Sequence, residues 1–242
     1  MTTRPPSTPA NLPAGEGSTG ADAAAPPNGL NLFRRQPRQA RSREMAERIL
    51  RATVAHLEAE GGRHLTTNHI ARRAGVDIAS LYRYFGSKEA ILVELTERWI
   101  AGIQAIHERH RILMEEKGMP LLAMLRSITA DIDQMPEGRW AYRELAQLMD
   151  TLPPLRALEV EHSARIATFW AQALQHHGSP WPPARLKVFA RLFYVQIDAA
   201  LLLAAQLSEA EAADVRRWHG RAVVQLLRQA LPRGRKTAGP PA

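Results

Sequence analysis

The segment from Leu65 to Leu92, LTTNHIARRAGVDIASLYRYFGSKEAIL, constrains this chain more than any other stretch. It reads as two short helices joined by a turn at Gly75, with Ile70, Ala71, Ala74, Val76 and Leu81 spaced so that one helix packs on the other. Thr66 or Thr67 can cap the first of them, Gly75 supplies the left-handed residue that ends it, and Asp77 caps the second, which ends at Gly86. Ahead of this unit Met45, Ile49, Val54 and Leu57 recur at roughly helical spacing, from after Arg41 until Gly61 and Gly62 stop the helix.

The remainder reads as helix throughout. Ser87 caps a fourth helix with Glu89 in its first turn, where a carboxylate meets the positive end of the helix dipole. That helix extends as far as Glu116, before Gly118 and Pro120. Pro120, Pro136, Pro154 and Pro183 each suit the first turn of a new helix. Further helices are expected after these prolines, the third from Leu155 to His176 and the last two over Ala184 to Gln206 and Ser208 to Leu231. Ser208 with Glu211 forms a capping box. Nothing reads as strand, so the expected class is all-α, with an N-terminal three-helix helix-turn-helix domain and a larger C-terminal helical domain.

A chain of 242 residues suits one small module plus one larger core. Met1 to about Asn31 is Pro, Gly, Ala, Ser and Thr with almost no large apolar residue, too little to offset the entropy of ordering. The expected division is a disordered extension with a basic arm over 1–40, a helix-turn-helix domain over 41–98, a larger helical domain over 99–232, and a basic disordered tail over 233–242.

A formal net charge of +8 favours a polyanionic partner. The absence of cysteine excludes disulfides, thiolate zinc sites and cysteine nucleophiles. The N-terminus shows no apolar signal core, and Val188 to Leu207 carries Arg191, Gln196 and Asp198, too polar for a comfortable membrane span. A cytoplasmic protein without a membrane partner is expected. An enzyme is not: there is no His-Glu-x-x-His pattern, phosphate loop or dinucleotide fingerprint, and the adjacent His176 and His177 point about 100 degrees apart on a helix. No cofactor or metal is expected.

Two short helices around a glycine turn suit helix-turn-helix docking, in which the second helix enters the major groove and its N-terminal residues reach base edges. The order Thr-Thr, Ile-Ala, Ala-Gly-Val, Leu-Tyr-Arg-Tyr-Phe, Ser-Lys-Glu-Ala between Arg43 and Leu95 resembles the TetR family of bacterial regulators. The resemblance implies a three-helix DNA-binding domain, a larger helical domain with a small-molecule pocket, and dimerisation through the last two helices. It implies double-stranded DNA with an inverted-repeat operator as partner, a homodimer, and a repressor released by an effector. It places Thr67 and Asn68 at the start of the second helix near the DNA backbone. Ile78, Ala79, Ser80, Arg83 and Tyr84 fall on the recognition helix, and Tyr82 and Lys88 match phosphate-contacting positions. A phenol hydroxyl and an ammonium can hold phosphate oxygens without reading sequence, whereas Ser80 can hydrogen-bond to bases. Ile78 departs from the polar residues common at its position and either meets a thymine methyl or turns inward. Leu81 and Phe85 are core. Arg34, Arg35, Arg38, Arg41 and Arg43 form either an arm entering the minor groove or a solvated basic tail.

Beyond Trp99 the clues are aromatic. Trp140, Tyr142, Phe169, Trp170, Phe193 and Tyr194 sit on helices otherwise rich in Leu, Ala and Val, which suits an apolar pocket. Arg143 and Asp198 lie in apolar helices, where an inward charge needs an ionic partner or a ligand. The candidate ligand site is therefore Trp140, Tyr142, Arg143, Phe169, Tyr194 and Asp198, for an apolar effector, aromatic or acyl. Two adjacent stripes, Val188, Leu192, Val195, Ala199, Leu202 and Phe189, Phe193, Ala200, Leu203, make the penultimate helix apolar on more than one contact requires. Val215, Trp218, Ala222 and Leu226 form a similar stripe on the last, consistent with a four-helix dimer interface. The alternatives are a TetR-like protein acting through a protein partner without ligand control, or an all-helical enzyme.

Overall fold

A computed structural model describes residues 40–62, 64–135, 144–149 and 151–232. Every regular element among these residues is a helix. The first is α1 (Ala40–Glu60), which buries Ile49, Leu50 and Leu57 and ends where Gly61 turns left-handed, its N–H bonded to the Leu57 carbonyl. Next, α2 (Thr67–Ala74) starts under a cap from the Thr66 side chain, which accepts from the His69 N–H, and stops at Gly75 with φ 61°. A Cβ at that φ would be strained, so the glycine sets the angle between α2 and the following helix. That helix, α3 (Ile78–Tyr84), is capped by the Asp77 carboxylate accepting from the Ser80 N–H.

Ser87 caps α4 (Lys88–Lys117), the longest helix, whose end is again a left-handed glycine, Gly118. Pro120 precedes α5 (Leu121–Asp133), the short α6 (Ala146–Met149) follows, and Pro153 opens α7 (Pro153–His176). Pro183 opens α8 (Pro183–Ala205), and Ser208 and Glu211 form the expected capping box on α9 (Glu209–Ala230). Prolines at first turns cost nothing because those N–H groups have no partner inside the helix. Five helices follow α4 among the described residues, the third and the last two of them over nearly the expected spans, with α6 a single turn after Pro136.

One apolar core runs through the described residues from Ala46 to Ala230. Within it α1 packs on α2 and α4, α2 on α3, α4 on α5 and α7, and α8 on both α7 and α9. Each wholly buried Leu or Ile in such a core contributes roughly 1.5–3 kcal/mol. The stripe on α4 holds Ile91, Leu92, Trp99, Ile103 and Ile106, so this helix belongs to the packing of both ends. The division expected between residues 98 and 99 falls in the middle of α4, which is continuous there. Residues 1–39 and 233–242, including Arg34, Arg35 and Arg38, lie outside the described residues, as does the Arg41 side chain.

By length and composition α8 is apolar enough to cross a membrane. Its two apolar stripes face differently: Phe189 and Phe193 are buried, while Val188, Leu192 and Val195 are exposed. Leu203, placed with the inward stripe by spacing, is also exposed, near the end of the helix.

Candidate DNA-reading face and effector cavity

The recognition unit is held from behind. Leu81 and Phe85 are buried under α3, and Ile70, Ala71 and Ala74 under α2. Arg48 of α1 donates to the Gly75 carbonyl at 2.7 Å, which fixes the turn to the first helix. The opposite side of α3 is open: Ile78, Ala79, Tyr82 and Arg83 are exposed, and Asn68 of α2 is exposed beside them. The Tyr82 hydroxyl lies 3.1 Å from Thr67 Oγ1. Lys88, half-buried, begins α4 immediately after the Ser87 cap. Thr67 and Tyr82 are thus brought together, and Ile78, Ala79 and Arg83 are exposed on the same short helix as Tyr82. Arg72 and Arg73 point to solvent, and Arg73 reaches Glu60 at 3.3 Å.

Two expectations on α3 need correction. Ser80 does not present a free hydroxyl to bases, because it donates to Asp77 Oδ2 at 2.7 Å while its N–H donates to Oδ1. Both bonds hold the Asp77 carboxyl below the usual carboxylate range. Tyr84 is not an exposed reader either: it is half-buried and packs against the core. Ile78, by contrast, does not turn inward; it is 37% exposed.

The link from this head to the rest of the chain is polar as well as apolar. Arg98 of α4 donates through both terminal nitrogens to Glu47 of α1, at 2.7 and 2.9 Å, and through Nε to Glu94. The paired carboxylates raise the Arg98 pKa, and the Arg98 hydrogen bonds hold Glu47 low. After α1 the Gly62 N–H donates to Glu144 Oε2 at 3.0 Å.

Among α4, α5, α7, α8 and α9 lies a cavity of about 720 Å³. Part of its wall is apolar, with Ile103 of α4, Ile128 of α5, Ile166 and Trp170 of α7, and Ile197 of α8. Two buried imidazoles also line it, His107 of α4 and His162 of α7. Burial pushes both pKa values down, His162 to about 4, so both are neutral at pH 7. The His107 Nδ1 lies 2.9 Å from the Ile103 carbonyl and is protonated there, since a carbonyl only accepts. The His162 Nδ1 has no hydrogen-bond partner among the described residues.

Only part of the expected ligand site meets this cavity. Tyr194 lines it, with its hydroxyl donated to Glu159 at 2.8 Å. Phe169 does not: it packs edge-on against His107 and Trp170, with ring centroids at 4.7 and 5.3 Å. Asp198 is half-buried, already engaged in a polar interaction, and is not a lining residue. Trp140, Tyr142 and Arg143 lie outside the described residues. The sequence reading missed the two histidines, although His107 falls one turn after Ile103 on the buried stripe of α4 and its position was a usable signal. Among the described residues no cluster of His, Asp or Glu could hold a metal ion.

Helices throughout the described residues, with a buttressed helix-turn-helix and an apolar cavity in the larger helical part, are the architecture of a DNA-binding regulator of transcription. Residues 49–95 match the model of the bacterial regulatory proteins of the tetR family. That segment runs from within α1 through the helix-turn-helix to the start of α4, so the family likeness lies in the DNA-reading part of the chain. The fold is similar to that of a transcriptional regulator from Rhodococcus sp. Rha1, at 17% identity and TM-score 0.65, over 78% of this chain and 99% of that one. A TetR-family regulator from Marinobacter aquaeolei VT8 aligns at 18% identity and TM-score 0.55, over 77% and 98% of the two chains. The regulatory protein TetR from Rhodobacter sphaeroides aligns at 22% identity and TM-score 0.56, over 72% and 96%. At these identities the structural likeness speaks for the fold. No curated protein matches the chain. The family and these neighbours are transcriptional regulators rather than enzymes.

Proposed function

We propose that the protein is a homodimeric repressor that binds an inverted-repeat operator and is released from it by a small, mainly apolar molecule. The observation that carries this reading is the continuity of α4, which starts with Lys88 beside the recognition helix and carries Ile103 and His107 into the cavity wall. A ligand that favours one tilt of α4 changes the separation of the two recognition helices in a dimer. The Arg98 to Glu47 pairing transmits that tilt to α1. A coupling of about 1 to 3 kcal/mol, roughly 5 to 150-fold in DNA affinity, is sufficient for control.

In this reading residues 41–98 bind DNA, residues 99–232 hold the effector and the dimer contact, and the protein works in the cytoplasm. Thr67, Asn68, Tyr82 and Lys88 meet the phosphate backbone, while Ile78, Ala79 and Arg83 face base edges. The exposed Val188, Leu192 and Val195 of α8 and Trp218 of α9 support a second subunit packing there, since apolar side chains in a row gain by being covered. The test is selection of bound fragments from genomic DNA by the full-length protein, followed by operator titration with metabolites that raise its melting temperature. Recovery of a short inverted repeat, and a ligand that lowers affinity for it, is the expected result. Fragments with no common sequence would overturn the reading.

A further inference from the structure

We propose that the cavity binds an amphipathic organic anion, its apolar body among Ile103, Ile166 and Trp170 and its carboxylate or phosphate head at Arg126, Arg221 and Arg228. The use of this site in control rests on the proposed ligand release; the site itself does not. The three guanidiniums belong to lining residues and have no ion-pair partner among the described residues. Other described arginines, Arg72, Arg83 and Arg191 among them, are likewise without an ion pair, but these three line the cavity. Elsewhere Arg98 pairs with Glu47 and Glu94, Arg109 with Asp131, Arg111 with Glu108 and Glu115, and Arg165 with Glu161.

The placement is directional. Arg221 and Arg228 stand seven residues apart, two turns along one side of α9, and Arg126 comes from α5. Two more lining arginines, Arg216 and Arg217, are already engaged by Glu209 and Asp214. One lining carboxylate, Asp133, leaves an excess of unpaired positive charge. Deeper in, the wall carries no fixed charge, because His107 and His162 are neutral. An occupant of one polarity throughout fits either the exposed arginines or the buried wall of Ile103, Ile166 and Trp170, and not both. A charged head at the arginines with an apolar body inward satisfies both, and a carbonyl or hydroxyl on that body can meet His162 Nδ1. The volume lies in the range of small-molecule sites.

The test is calorimetric titration of the full-length protein, without DNA, with dodecanoate, dodecyl phosphate, dodecanol and dodecyltrimethylammonium, each below its aggregation concentration. The anions are expected to bind at least tenfold tighter than the alcohol or the cation, with the margin shrinking as salt is added. The Arg126→Gln, Arg221→Gln, Arg228→Gln triple variant should lose that margin and bind dodecanol as the parent does, which also shows that it is folded. Comparison of dodecanoate with dodecyl phosphate identifies the head group. Equal or tighter binding of the alcohol or cation, no binding by any probe, or a margin indifferent to both salt and the triple variant would overturn the proposal. Anion binding that leaves operator affinity unchanged would instead sink ligand release and keep the site.

Discussion

The Tyr82 hydroxyl and Thr67 Oγ1 stand 3.1 Å apart, which joins the exposed side of α3 to the first residue of α2. A phosphate held by one is within reach of the other, and Lys88 follows at the start of α4. Contacts of this kind fix the protein on the duplex without reading its sequence. Tyr82→Phe and Lys88→Ala should therefore weaken binding to operator and to random DNA alike. Each should reduce the slope of log affinity against log salt by about one unit. Fluorescence anisotropy at several salt concentrations measures both quantities, and an unchanged slope in Lys88→Ala would remove Lys88 from the contact surface.

Ile78 is 37% exposed at the first position of α3, where a side chain can reach a base edge. An isoleucine has nothing to offer a donor or acceptor and can gain only by covering a thymine methyl. Replacing operator thymines one at a time by deoxyuridine should identify one position per half-site that costs about 0.8 kcal/mol, roughly fourfold in affinity. In Ile78→Ala that position should become indifferent to the methyl. If no thymine in the half-site responds, Ile78 does not read DNA.

The recognition unit was legible in sequence because its structure is local. Thr66, Gly75, Asp77 and Ser87 act on backbone groups within three or four residues, so their order is enough to place three helices. The same logic explains Ser80: a caps carboxylate at Asp77 sits three residues earlier, the right distance to take both its N–H and its hydroxyl. The cavity was not legible, since its walls come from five helices spread from Ile103 to Arg228. Phe169 shows the limit. It is next to Trp170, which lines the cavity, yet one residue on a helix turns a side chain by about 100 degrees. Helical periodicity separates buried from exposed, but not which buried side chains stand beside empty space.

Dimerisation can be tested more sharply on α8 than at Leu202 or Leu226, the positions that spacing favours. Leu226 packs against the core and Leu202 is half-buried, so a charge at either would also disturb the fold. Leu192 and Val195 are 48% and 53% exposed in the isolated chain. The double variant Leu192→Asp, Val195→Asp should keep the helical circular dichroism and sediment as a monomer at micromolar concentration, where the parent sediments as a dimer. Operator affinity should fall with it, since two half-sites then no longer act together. A variant that stays dimeric would place the interface elsewhere.

The last prediction concerns acid stability and rests on His162. This side chain is 3% exposed, with the Trp99 and Tyr194 rings at 6.3 and 6.1 Å. Burial, with smaller contributions from His107 and Arg165, lowers its pKa to about 4. In the unfolded chain a histidine titrates near 6.5. Between those two values the unfolded chain carries the proton and the folded one does not, so stability falls as pH drops from about 6.5 to about 4 and levels off below. From pH 7.5 to 5.5 the loss due to His162 should be about 1.4 kcal/mol, rising to roughly 3 kcal/mol by pH 4. His107 is shifted the same way by burial and adds to the loss. Glu47, held low by Arg98, contributes only at more acid pH, which makes pH 5.5 the clean point. Urea unfolding at pH 7.5 and 5.5 should show a smaller difference for His162→Leu than for the parent, by about that 1.4 kcal/mol. Equal differences would mean that His162 is already charged, or already paired, in the folded protein.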